Sequence, residues 1–152
     1  MKPKMLIALQ AMLWMVCAFH VLIGASLNLP SEEVVSTVAK IYGADVAQWS
    51  PQFLYILRPL GVFMVALGVL AGAASLDPLK HRVTIYVFAA IFNVRALQRV
   101  IFGEEITTTF GIESGRNLGN MVFFFGLAAV LIVLDVFARR APPQPQGNAA
   151  AT

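Results

Sequence analysis

Four long apolar runs, at about residues 5–27, 52–76, 79–102 and 118–137, constrain this chain more than any other feature. A run of about 20 apolar residues, rising 1.5 Å each in a helix, crosses the roughly 30 Å hydrocarbon layer of a membrane. The third run is interrupted by polar residues but meets the same length criterion. Composition agrees: 59% of the residues are hydrophobic and 12% charged, with a mean hydropathy of +0.76, outside the range of soluble globular domains. The expected fold is all-α, a four-transmembrane-helix bundle over residues 1–140. The Pro, Gln, Gly and Ala tail at 141–152 is expected to be disordered and cytoplasmic.

Local signals set the boundaries. The first run follows Lys2 and Lys4 and could pass for a signal peptide, with Gly24, Ala25 and Ser26 as a small-residue cleavage site. At about 23 residues it exceeds a typical signal core, and it reads as a retained helix. Pro51 suits the first turn of the second helix, where a missing N–H costs nothing. Asp77 and Pro78 predict a two-residue turn that makes the second and third helices an antiparallel hairpin. Between the first two spans, Ser31, Glu32 and Glu33 mark a helix start, and Val34, Val35, Val38 and Ile41 recur at helical spacing. That pattern predicts a short extracytoplasmic amphipathic helix on the membrane surface. Trp49 and Tyr55 suit an interfacial aromatic belt. The stretch 103–116, with Glu104, Glu105, Glu113 and a run of threonines, reads as a loop.

Orientation follows from the basic residues. Lys2, Lys4, Lys80, Arg82, Arg139 and Arg140 fall on one side of a four-span chain. The other side holds only Lys40 and Arg116, beside Glu32, Glu33, Asp45, Glu104, Glu105 and Glu113. The positive-inside rule then puts both termini in the cytoplasm of a multi-pass cell-membrane protein. The formal charge of +3 belongs to these flanks rather than to a single patch, so the partner is the lipid bilayer and no nucleic acid is implied.

In this frame the polar residues within the spans gather toward the extracytoplasmic end. Arg58 lies on the second helix, Arg95, Gln98 and Arg99 share one arc of the third, and His20 sits in the outer half of the first. Glu113, Arg116, Asn117 and Asn120 would share an arc of the fourth if that helix begins early. Converging stripes would make a cationic pocket of Arg58, Arg95 and Arg99, countered by Glu113 and by Glu104 or Glu105. Guanidinium forks of this kind bind carboxylates and phosphates. The alternative readings are arginines that snorkel to lipid phosphates or pair with loop glutamates, and asparagines that only bond neighbouring helices.

Other chemistry finds little support. With Cys17 alone, no disulfide or thiolate metal site can form within the chain. His20 and His81 lie at opposite ends of the bundle, so one chain cannot ligate haem with two histidines, and no metal or cofactor is expected. Asp135 and Arg139, four residues apart, read as an interfacial ion pair. Gly68 and Gly72 form a GxxxG pattern, and Gly119 and Gly126 repeat at seven residues; both predict close helix approach, within the chain or with another. Pro59 is expected to bend the second helix. There is no HExxH, P-loop, GxSxG or Rossmann pattern, and no catalytic residue is assigned.

The stretches Arg58-Pro59-Leu60-Gly61, Asp77-Pro78 with His81-Arg82, and Arg95-Ala96-Leu97-Gln98-Arg99 resemble small four-helix membrane proteins of the BphX-like and DoxX-like kind. The resemblance covers the second and third helices. It implies a bacterial inner-membrane protein of four helices and brings no settled activity.

Three functional readings follow. The first is a non-catalytic accessory or structural subunit that acts through helix packing, as a homo-oligomer or in a larger membrane complex. The second is a module that binds or transports an anionic or amphipathic small molecule, or a lipid headgroup, in the outer polar pocket. The third is an enzyme that uses His20 with Glu113 or Glu105 for proton transfer.

Overall fold

The computed structural model describes residues 2–46 and 48–140, so the expectation for the 141–152 tail lies outside the described residues. Within them the chain is all-helical: α1 (Lys2–Ser26), α2 (Glu32–Ile41), α3 (Pro51–Leu76), α4 (Arg82–Ile101), α5 (Gly103–Phe110) and α6 (Ser114–Arg140). Four of these, α1, α3, α4 and α6, are long and apolar enough to cross a membrane.

The starts of α2 and α3 follow side-chain capping. Ser50 Oγ accepts from the Phe53 N–H at 3.1 Å with Pro51 at the first helical position, and Ser31 Oγ caps α2 at Val34. Helix α3 runs unbroken through Pro59. Two boundaries differ from expectation. The third span begins at Arg82 rather than residue 79, because the Asp77 carbonyl accepts the N–H groups of Lys80 and His81 and closes a longer turn. The fourth begins at Ser114, early enough to put Arg116, Asn117 and Asn120 on the helix.

Residues 103–110, read as loop, form α5 instead. Glu104 and Glu105 occupy its first turn, where carboxylates favour the helix dipole. Thr107 and Thr108 bond their hydroxyls back to the Gly103 and Glu104 carbonyls at 2.9 and 3.0 Å, which fits β-branched residues into the helix. Gly111, at φ 65°, ends it in the left-handed conformation.

These four long helices form a ring in the order α1, α3, α4, α6. Helix α1 packs most extensively on α3, and α4 on α6, while α3 and α4 scarcely touch. Leu9, Leu13, Ile85, Phe88 and Leu131 fill the centre of the core. The α1–α3 seam is made by glycines. A Cβ on Gly24 or on Gly61 would stand 2.6 Å from the other's carbonyl oxygen, and one on Gly68 would stand 2.6 Å from Val21 Cγ2. Gly72 lies against Cys17 Sγ. Gly119 and Gly126 differ: a Cβ on either would meet nothing within 4 Å, so the expected close approach is not made among the described residues.

The two ends of the bundle are built differently. At the end with the α3–α4 turn, the expected Asp135–Arg139 ion pair forms, and Asp135 is fully buried. Arg139 Nε donates to Asp135 Oδ1 at 2.7 Å, while its other nitrogens reach the carbonyls of Leu79 and Pro78 at 2.9 and 3.2 Å. One side chain thus clips the turn to α6. The opposite end is roofed by α2 and α5.

Candidate functional site

Beneath that roof, in the loose α3–α4 seam, is a cavity of about 330 Å³, at the low end of small-molecule sites. Its wall is largely apolar. Leu57 and Met64 contribute from α3, Ile23 and Leu27 from α1, and Val38 and Tyr42 from α2. The polar exceptions are Arg95, Gln98 and Arg99, whose spacing puts them on one face of α4.

The roof is fixed by hydrogen bonds to the end of α2. Arg116 Nη2 donates to the Ile41 carbonyl at 3.0 Å and Asn120 Nδ2 to the Tyr42 carbonyl at 3.0 Å, satisfying acceptors that a helix terminus leaves free. The Asp45 N–H donates to the Phe110 carbonyl at 2.9 Å, which ties the following loop to α5. Tyr42 is thereby set beside Arg95, whose guanidinium lies 5.8 Å from the Tyr42 ring centroid and 5.0 Å from that of Phe124. Burial pushes the Tyr42 hydroxyl above its usual range, with Arg95 and Arg99 pulling the other way. The phenol stays neutral at physiological pH and offers Arg95 a ring face rather than a charge.

Arg99 is held more directly. Its Nη1 donates to Asn117 Oδ1 at 2.8 Å, and Asn117 Nδ2 donates to the Arg99 carbonyl at 3.1 Å. Neither arginine has a carboxylate within 4.0 Å, because among the described residues both ion pairs converge on Asp135 at the other end. The expected counter-ions do not arrive. Glu113 precedes α6 and is exposed, and Glu104 and Glu105 are exposed on α5.

The other expected members separate. Arg58 does not line the cavity: it lies about 100° around α3 from Leu57, which faces inward, and is exposed. His20 is buried outside the cavity, with Nδ1 donating to the Val16 carbonyl at 2.8 Å and its ring 5.7 Å from Phe88 and 6.2 Å from Phe92. No hydrogen bond links it to Glu105 or Glu113. Asn117 and Asn120 spend their side chains on Arg99 and on the α2 carbonyl. The grouping of Arg95, Gln98 and Arg99 is kept, while Tyr42 joins them from α2 without a sequence signal beyond its aromatic type.

A second cavity, of about 460 Å³, lies between α5 and α6. Its polar lining comprises Arg99, Glu104, Thr107, Thr108, Ser114 and Asn117. Arg99 borders both spaces.

Comparison of the chain with protein-family models, with curated proteins and with solved structures returned no match.

Proposed function

We propose that this is a non-catalytic membrane protein that binds an anionic amphiphile in the cavity under α2 and α5. The observation that supports it most is the charge of the site: Arg95 and Arg99 border a largely apolar cavity with no carboxylate within 4.0 Å of them among the described residues. Cations left without a counter-ion in a low-dielectric setting attract one, and guanidinium suits a carboxylate or phosphate. The apolar wall and the loose α3–α4 seam suit a hydrocarbon portion that enters sideways from lipid. Native mass spectrometry of protein purified in mild detergent tests the reading: a retained anionic amphiphile, lost in Arg95→Ala, is expected. A wild-type spectrum free of small molecules, with no thermal stabilisation by added anionic amphiphiles, would sink it.

A second reading, an accessory subunit or homo-oligomer acting through helix packing, draws on the open space at Gly119 and Gly126 on α6. Small residues there would let another helix approach closely. The same spectrum tests it, since a defined multimer or heterocomplex that Gly126→Leu disperses is expected. For location we propose a bacterial inner membrane with both termini cytoplasmic, supported by the Lys and Arg asymmetry across the spans and by the BphX-like and DoxX-like resemblance.

A further inference from the structure

The binding site proposed above ends at Arg99, yet Arg99 is also a wall of the second cavity. The two spaces differ chemically. The first is apolar apart from its α4 polar face, whereas the second carries the Glu104 carboxylate and the hydroxyls of Thr107, Thr108 and Ser114. From the α3–α4 seam outward, the order is therefore hydrocarbon, then guanidinium, then carboxylate.

The hydroxyls add a directional constraint. Thr107 Oγ1 donates its hydrogen to the Gly103 carbonyl at 2.9 Å, and Thr108 Oγ1 donates to the Glu104 carbonyl at 3.0 Å. With those hydrogens committed, both threonines offer only lone pairs to the cavity. The Glu104 carboxylate likewise only accepts. The Asn117 amide spends its oxygen and one of its two N–H hydrogens on Arg99. Beside Glu104 and the two threonines, away from the Arg99 wall, a group that fits should be cationic and rich in N–H donors.

Resting on the anionic-amphiphile reading, we infer that the ligand is a phosphoethanolamine amphiphile: an apolar chain in the first cavity, a phosphate at Arg95 and Arg99, and a primary ammonium in the second cavity beside Glu104 and the two threonines. A fatty acid would end at the guanidinium and leave the second cavity empty. A glycerol head could donate to the same acceptors but would bring no positive charge to Glu104.

The test uses the full chain in mild non-ionic detergent, titrated with single-chain lysophospholipids that share one acyl chain and differ in the head. The ethanolamine head is expected to bind about tenfold more tightly than the glycerol head, the scale of one charge-assisted hydrogen-bonding group. Glu104→Gln should cut that preference to about twofold or less, as expected for a charge-specific contact. Glu104 is exposed and its side chain makes no hydrogen bond or ion pair among the described residues, so the substitution costs at most part of the first-turn dipole contribution, and an unchanged unfolding midpoint without ligand checks this. Free O-phosphoethanolamine, lacking a chain, should give no stabilisation at concentrations where the lysolipid saturates, and equal binding would identify a soluble headgroup and overturn the assignment. Equal affinity for both heads, with Arg95→Ala still abolishing binding, would overturn the phosphoethanolamine assignment and leave the broader reading standing. Failure of every lysolipid to bind would remove both.

Discussion

At the residue scale, this chain contrasts arginines that have a partner with arginines that do not. Arg139 is fully used: it neutralises a carboxylate that is 0% exposed and bonds two backbone carbonyls across the α3–α4 turn. Removing it in Arg139→Ala leaves Asp135 with only the Arg82 Nε at 3.6 Å, and Asp135 Oδ2 already lacks a hydrogen bond. Stranding one member of a buried pair costs about 3–5 kcal/mol, so a large drop in the thermal unfolding midpoint in detergent is expected. Arg95, with only ring faces for company, should behave oppositely. Arg95→Gln is expected to leave the unfolding midpoint of ligand-free protein within about 0.5 kcal/mol of wild type, since it breaks no hydrogen bond, and a large loss would assign Arg95 to the fold. Helical spacing made Arg95, Gln98 and Arg99 legible as a group in the sequence. Depth alone misled at Arg58, because distance along a helix does not say which way a side chain turns. Tyr42 was missed because its meeting with Arg95 depends on how α2 docks, a contact between segments far apart in the chain.

At the scale of elements, the four spans announced themselves by length and hydropathy, and the starts of α2 and α3 by serine caps and Pro51. Helix α5 was hidden because a threonine run argues against a helix until the hydroxyls find carbonyls one turn back. Which helices pack closely was only half visible. The GxxxG at Gly68 and Gly72 marks the α1–α3 seam, but its tightest point is the Gly24–Gly61 crossing, where each glycine comes from a different helix and no motif exists to read. Gly61→Val should be strongly destabilising, by more than the ~1–3 kcal/mol usual for overpacking, because the obstructing atom is a backbone oxygen that cannot rotate away. Chemical denaturation in mixed micelles would measure it. The roof is held more lightly. Asn120→Ala frees the Tyr42 carbonyl, a bond worth about 0.6 kcal/mol, and should quicken hydrogen exchange across α2 while leaving α1 and α4 unchanged.

The whole molecule is closed at one end and open in its seam at the other. Phe88 packs tilted on Phe92 through the centre, Phe92 stacks on Phe124 at 6.1 Å, and the Arg139 clip seals the turn beyond them. The geometry is that of a cup rather than a tube. Its floor is a close-packed plug of aromatic and aliphatic side chains, and the buried polar groups there, His20, Ser75 and Asp135, are each bonded to backbone or to Arg139 rather than lining an open path. A membrane holding many copies should keep its electrical resistance, and proteoliposomes loaded with a potential-sensitive dye should hold a potassium diffusion potential as long as protein-free vesicles do. A cell could then carry this protein abundantly in an energised membrane without short-circuiting it.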